Sequence, residues 1–152
     1  KVFLQDVQKC ADARRALSQT PACRQSRGMR RTLPYAAVTK TYDQFVEQIR
    51  PVFGDLGMRV ASVHGGDALA RVRQAQAVVV GGGSTWKLLR EVRAGGLLPA
   101  IRERVVAGMP YVGWSAGANL ACPTIKTTND MPICDPGGFD ALALVPLQIN
   151  PH

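Results

Sequence analysis

Residues 110–117 read PYVGWSAG, and this stretch decides the fold. The apolar run before Gly113 predicts a short buried strand, and the Ala-rich residues that follow can begin a helix. A strand that turns directly into a helix strains the residue between them, and only small neighbours such as Gly113 and Gly117 tolerate so tight a turn. The pattern predicts a nucleophile elbow, which presents the Ser115 hydroxyl and leaves the Ala116 N–H to donate to an oxyanion.

A second glycine-rich turn follows the clearest strand of the chain. Residues 77–80 read AVVV, a continuous β-branched run typical of a buried parallel strand, and residues 81–83 are all glycine. Glycines at a strand end let the backbone approach a ligand and leave N–H groups for an anion. A helix predicted over 86–93 directs the positive end of its dipole at this loop. The pattern GxxxxGK[ST] is absent, which argues against a phosphate loop. A plain tight turn is the alternative interpretation.

The remaining pattern alternates between strands and helices. This alternation predicts an α/β fold of three layers, a mostly parallel sheet with helices on both faces. Ligands of such sheets bind at the carboxyl ends of the strands, where both glycine-rich turns fall. The other predicted elements are a helix over 6–18, a loop over 23–31, a strand over 32–38, a helix from Tyr42 capped by Thr39 or Thr41 and kinked or divided at Pro51, a strand over 58–64, a helix over 67–74 capped by Asp67, and a helix over 98–108.

Composition limits the classes of function. The 152 residues suit one domain, and 46% hydrophobic and 20% charged residues are typical of a globular protein. No apolar run approaches the roughly 18 residues that span a membrane, and no signal peptide is recognisable, so we expect a cytoplasmic protein without membrane contact. The four cysteines and two histidines lack metal-ligand spacing, so we expect neither a metal nor a cofactor.

The net charge of +8 does not indicate nucleic-acid binding, because it is concentrated in one segment. Residues 1–31 hold eight Lys or Arg and two Asp, a net charge of +6, and the rest of the chain is only +2. Phe3 is the only aromatic residue of this segment, so there is no series of aromatic residues between the basic ones on which bases could stack. We therefore expect no nucleic-acid partner.

An activated serine needs a base and a carboxylate to orient that base. The two histidines are His64, at the end of a predicted strand, and His152, the last residue, and spacing alone does not choose between them. The carboxylates after the serine are Asp130, Asp135 and Asp140, each of which can equally be a turn residue.

Four longer motifs carry a resemblance to a known family. They are GWSAGAN at 113–119, CPTIKTTNDMPI at 122–133, FDAL at 139–142 and PLQINPH at 146–152. In this order they resemble the peptidase E family of serine peptidases, the α-aspartyl dipeptidases. The resemblance implies a fold like that of class I glutamine amidotransferases. It also implies an exopeptidase that hydrolyses dipeptides with an N-terminal Asp through an acyl-enzyme, so its partner is a small peptide substrate.

The resemblance also implies roles for particular residues. Ser115 is the nucleophile, His152 the general base and Asp130 the aspartate of the charge relay. The N–H groups of Gly83 and Ala116 form the oxyanion hole. Ser84 departs from the family, whose members often carry Asn after the glycines, and the serine at the elbow argues against the Cys chemistry of the amidotransferases.

The resemblance to the family begins near Thr32, so we divide the chain into an atypical basic segment, 1–31, and a peptidase domain, 32–152. The family continues beyond the Asn-Pro-His motif, so we expect that this domain lacks its C-terminal part. Two alternatives remain: a cyanophycinase-like peptidase with a serine elbow, and a catalytically inert fragment or binding module. The protein can be a monomer or a homodimer.

Overall fold

The computed structural model describes residues 29–54 and 58–151. Their strands are β1 (Met29–Leu33), β2 (Arg59–Ser62), β3 (Ala77–Val80) and β4 (Tyr111–Gly113). Their helices are α1 (Tyr42–Gly54), α2 (Ala68–Arg73), α3 (Thr85–Ala94), α4 (Leu97–Val106) and α5 (Ala116–Ala121). The helix predicted over 6–18 lies outside these residues.

The strands of the described residues form one parallel sheet in the order β2-β1-β3-β4. Successive side chains of β3 point to opposite faces, so Val78 and Val80 join one core cluster and Val79 joins the other. The first cluster packs residues of α3, α4 and α5 against the sheet, and the second packs α1 against it. This arrangement confirms the predicted three-layer α/β fold.

The first strand differs from its prediction. It begins at Met29 rather than Thr32, and residues 34–38 form a turn in which the Ala37 N–H donates to the Pro34 carbonyl at 3.0 Å. The loop predicted over 23–31 is therefore wrong for its last three residues. The sequence does not indicate this strand, because its residues are largely polar. In the structure Arg30 and Thr32 are buried, and pairing of β1 with both β2 and β3 overrides their weak strand propensity.

The helix boundaries follow their predicted caps closely. The Thr41 hydroxyl accepts from the Gln44 N–H at 3.2 Å, and the Gln44 side chain accepts from the Thr41 N–H at 2.9 Å, a reciprocal cap for α1. Asp67 caps α2 through the Ala70 N–H at 2.8 Å. Helix α1 continues through Pro51 instead of dividing there. Among the described helices, none is long and apolar enough to cross a bilayer.

Candidate active site

Ser115 lies on the turn between β4 and α5 in a strained backbone conformation. Its φ is 50° and its ψ is −117°, values that residues other than glycine rarely adopt. The turn is closed by the Gly117 N–H, which donates to the Trp114 carbonyl at 2.9 Å, and by the Ala118 N–H, which donates to the Ser115 carbonyl at 2.8 Å. The predicted elbow geometry is therefore present.

The two glycines of the elbow are required by close approach of backbone atoms. A Cβ on Gly117 would lie 2.2 Å from the carbonyl oxygen of Val80, and one on Gly113 would lie 2.5 Å from the carbonyl oxygen of Gly117. Both distances are far inside van der Waals contact. Helix α5 can therefore pack directly against the end of β3, which places the elbow beside the glycine loop.

Tyr111, on β4, binds the backbone of the elbow through its side chain. Its hydroxyl donates to the Gly117 carbonyl at 2.6 Å, and its ring is buried. Burial raises the pKa of the Tyr111 hydroxyl well above its usual value, because the phenolate would lose its hydration. The phenol therefore stays a neutral donor that fixes the first turn of α5.

The glycine loop after β3 lies against Ser115. A Cβ on Gly82 would lie 3.0 Å from the Ser115 Cβ and 3.4 Å from its Oγ. Gly83 has a φ of 130° and passes so close to the turn after β1 that a Cβ there would lie 2.2 Å from the Ala36 carbonyl oxygen. The Ser84 N–H donates to that same oxygen at 2.8 Å, so the loop has one defined position next to Ser115.

The N–H groups of Gly83 and Ala116 are the two donors predicted for the oxyanion hole. Among the described residues, the backbone hydrogen bonds that close the turns do not use the N–H of Gly83 or of Ala116. Ala116 is the first residue of α5, where a backbone N–H has no acceptor within its own helix. The predicted oxyanion hole requires both amides as donors beside Ser115.

Asp130 lines the same cleft as Ser115 and caps the beginning of α3. Its Oδ2 accepts from the Thr85 N–H at 2.7 Å, and its carbonyl accepts from the Trp86 indole N–H at 2.9 Å. Its own N–H donates to the Thr128 hydroxyl at 3.2 Å. The carboxylate thus lies at the positive end of a helix dipole, where a negative charge is favoured.

The cleft has a volume of about 580 Å³. Its lining includes the glycine loop, Ser115 and Trp114, and Trp114 stacks on Phe45 with ring centroids 6.5 Å apart. Met131 and Ile133, both exposed, also line the cleft. The remaining lining comes from the turn after β1 and from α1, including Lys40 and Gln48. A small peptide fits such a cleft.

Residues 148–150 are tied to the elbow helix and to the loop that carries Asp130. The Ile149 N–H donates to the Cys122 Sγ at 3.3 Å, and the Ile149 carbonyl accepts from the Thr127 hydroxyl at 2.6 Å. The Asn129 side chain donates to the Asn150 side chain at 3.2 Å. Burial raises the pKa of the Cys122 thiol, so it remains protonated in this contact. His152 itself lies outside the described residues.

His64 occupies a different part of the sheet from Ser115. It follows β2, at the opposite edge from β4, so three strand spacings of roughly 4.8 Å separate the two strand ends. Its Nε2 lies 3.3 Å from an oxygen of Asp43, its Nδ1 contacts the Ser62 hydroxyl, and its ring packs edge-on against Tyr42. His64 therefore connects the end of β2 to the first turn of α1.

The other two carboxylates left open by the sequence also lie elsewhere. Asp135 accepts from the Gly137 N–H at 2.8 Å in an exposed turn. Asp140 forms an isolated antiparallel bridge with Thr124, and its carbonyl accepts from Arg93 at 2.8 Å. Of the three, Asp130 alone lines the cleft with Ser115.

Several residues of the site were not found from the sequence. Asn119 is buried, and its amide lies 3.5 Å from the Thr85 hydroxyl, which in turn lies 3.1 Å from the Thr128 hydroxyl. This series of side-chain contacts links α5, α3 and the loop that carries Asp130. A polar residue inside the otherwise apolar helix 116–121 was the available signal for Asn119. Lys40 had no signal, because nothing in its surroundings in the sequence relates it to the elbow.

A serine on a strained elbow, beside a glycine loop at the carboxyl end of a parallel sheet, is the arrangement of the α/β serine hydrolases. The profile of peptidase family S51 matches residues 19–152, and the chain belongs to that family. The match begins at residue 19, further toward the N terminus than the start near Thr32 expected for the resemblance.

Individual relatives agree with this assignment. Peptidase E of Salmonella typhi is 55% identical over 121 residues, which make up 79% of this chain and 53% of that protein. Peptidase E of Salmonella typhimurium is 54% identical over the same coverage. The chain spans about half the length of the curated relatives it matches.

Solved structures agree on the fold. A crystal structure of a peptidase E candidate from Listeria monocytogenes EGD-e matches with a TM-score of 0.75 at 23% identity, covering 95% of this chain and 74% of that one. A peptidase from an acI-B1 Actinobacterium matches with a TM-score of 0.68 at 16% identity, covering 94% and 64% of the two chains. Both likenesses extend over nearly the whole chain.

Proposed function

We propose that the protein is a cytoplasmic serine exopeptidase that hydrolyses dipeptides with an N-terminal aspartate. The observation that carries this proposal is the strained Ser115 elbow, with the glycine loop against its side chain and Asp130 in the same cleft. Membership of peptidase family S51 and 55% sequence identity to a peptidase E support a serine peptidase. The preference for aspartate is what the resemblance to the α-aspartyl dipeptidases implies.

In the proposed reaction the Ser115 Oγ attacks the scissile carbonyl and its proton passes to the imidazole of His152. The Gly83 and Ala116 amides donate to the oxyanion that forms, each contributing roughly 3 kcal/mol to transition-state stabilisation. The imidazolium then protonates the leaving amine, which leaves an aspartyl ester on Ser115. Water, deprotonated by the same imidazole, hydrolyses this ester.

The tethers of residues 148–150 support the assignment of His152 as the base. Thr127 and Asn129 bind the segment that leads to His152, and Asp130 follows them directly in the same loop. The loop 127–130 therefore binds the segment that precedes His152 and also carries the Asp130 carboxylate. His64, by contrast, is engaged with Asp43 and Ser62 near the far edge of the sheet.

Replacement of Ser115 in the full-length protein tests the proposal. We expect Ser115→Ala to abolish hydrolysis of Asp-Leu and labelling by a fluorophosphonate, with a thermal unfolding midpoint no lower than that of the wild type. Ser62→Ala is the matched control, because Ser62 lies on β2 and its hydroxyl contacts the ring and the N–H of His64, away from the cleft. It should keep both activity and labelling.

The same assays separate the alternatives. A wild-type protein that neither hydrolyses Asp-Leu nor reacts with the fluorophosphonate would be an inert binding module. A protein that reacts with the label but cleaves only aspartyl side-chain linkages would be a cyanophycinase-like peptidase. Turnover of Asp-Leu by Ser115→Ala would contradict the assignment of the nucleophile.

A further inference from the structure

The candidate cleft contains a single cationic side chain among the described residues that line it. Lys40 and Asp130 are the charged members of that lining, and Lys40 lies in the turn between β1 and α1. The remaining lining residues are uncharged at neutral pH. Lys40 is therefore the residue of this lining that can attract an anion through its charge.

Lys40 is held over the cleft by a neutral partner. Its Nζ donates to the Gln48 Oε1 at 2.9 Å, and Gln48 lines the cleft as well. Across residues 29–54 and 58–151, no carboxylate forms an ion pair with Lys40. The nearby acids of α1 are engaged with other groups, Asp43 with His64 and Glu47 with Arg50.

Other features of the cleft leave the charge of Lys40 available. The Asp130 carboxylate is oriented toward the first turn of α3, where it accepts from the Thr85 N–H. Lys87, the other lysine that reaches the turn after β1, donates to the Ala37 carbonyl and lies over the Tyr42 ring at 4.9 Å from its centroid. Lys87 is outside the lining, so it does not provide a second cation there.

We propose that Lys40 binds a carboxylate of the peptide substrate and so helps to determine specificity. This inference rests on the proposed function, because an aspartyl dipeptide carries two carboxylates at neutral pH, one on the Asp side chain and one at its C terminus. Gln48 orients the ammonium by accepting one of its three protons, which leaves two donors for the substrate. Both carboxylates share the chemistry that Lys40 recognises, and the substrate series below distinguishes them.

The expected effect is moderate, because Lys40 is exposed to solvent. An exposed ion pair contributes up to about 1 kcal/mol, so Lys40→Gln should lower kcat/KM for Asp-Leu about 5-fold. The change should fall on KM with kcat nearly unchanged, because the contact is the same in the ground and transition states. Lys40→Arg should keep most of the activity, and added salt should reduce the difference between wild type and Lys40→Gln.

The test compares wild type, Lys40→Gln and Lys126→Gln in the full-length protein on Asp-Leu and on Asp-Leu amide. Lys126→Gln removes the same charge from a lysine whose ammonium lies over the Phe139 ring, 5.5 Å from its centroid and outside the cleft lining, so it controls for net charge. A Lys40→Gln penalty that disappears on the amide assigns Lys40 to the C-terminal carboxylate. A penalty that persists on the amide assigns it to the aspartyl side chain.

Two failures are distinguishable. If the wild type hydrolyses Asp-Leu and Lys40→Gln matches it, or Lys126→Gln shows an equal penalty, the role of Lys40 is wrong and the proposed peptidase stands. If the wild type hydrolyses neither substrate, the proposed function fails, and the role of Lys40 fails with it.

Discussion

Replacement of Asp130 separates a structural from a catalytic role of one carboxylate. The Asp130 Oδ2 accepts from the Thr85 N–H at 2.7 Å, and Thr85 is buried at the start of α3. Asp130→Ala removes the acceptor and leaves that amide unsatisfied, at a cost of about 1–3 kcal/mol of unfolding free energy. Asp130→Asn keeps an acceptor oxygen and loses the charge at the helix N terminus, at a cost of about 0.3–1 kcal/mol.

These costs convert into a measurable order of stability. For a chain of this size, 1 kcal/mol corresponds to roughly 2–4 °C in the unfolding midpoint. We expect the midpoint to decrease from wild type to Asp130→Asn to Asp130→Ala in thermal melts followed by circular dichroism. Asp135→Asn is the matched control, because its carboxylate accepts only from the Gly137 N–H in an exposed turn, and it should melt close to the wild type.

Activity responds to a different property of the same side chain. If Asp130 orients the catalytic imidazole, Asp130→Asn should lower kcat for Asp-Leu by about 10⁴-fold although it costs little stability, because an amide favours the wrong imidazole tautomer. An Asp130→Asn variant with near wild-type kcat would refute the charge-relay role. An Asp130→Ala variant that melts with the wild type would refute the capping role.

Two further substitutions test the packing around Ser115. Gly83→Ala should cost about 3 kcal/mol of unfolding free energy and most of the activity, because its Cβ would lie 2.2 Å from the Ala36 carbonyl oxygen at a φ of 130°. Gly108→Ala is the control, because Gly108 has a φ of 104° with open space around it, and it should cost clearly less in a denaturant titration. An equal cost of the two substitutions would contradict the close approach at Gly83. The raised pKa of Tyr111 means that above about pH 10 the unfolded chain loses a proton that the native protein keeps, so wild-type stability should fall there by up to about 1.4 kcal/mol per pH unit more steeply than that of Tyr111→Phe. Parallel pH dependences of the two proteins in denaturant titrations would contradict that assignment.

The parts of the fold that were predictable are those specified by neighbours in the chain. The elbow at Ser115 and the strand over 77–80 follow from short patterns, because their backbone constraints lie within a few residues. The Thr41 and Asp67 caps are equally local. These predictions needed no knowledge of the tertiary structure.

The parts that were not predictable depend on contacts between distant segments. β1 begins at Met29 because Arg30 pairs with Val60 on one side and Ala77 on the other, and neither partner is visible from the residues around it. The use of Asp130 as a cap for a helix that begins at Thr85 likewise requires two loops to meet across the sheet. The position of Lys40 over the cleft depends on the same assembly.

The strained backbone of Ser115 lowers the stability of the protein. A φ of 50° and a ψ of −117° cost a serine about 1–3 kcal/mol that a glycine would largely avoid. Selection for a long-lived molecule alone would therefore favour glycine at this position. As long as serine occupies this position, packing elsewhere in the core must offset the strain of this one turn.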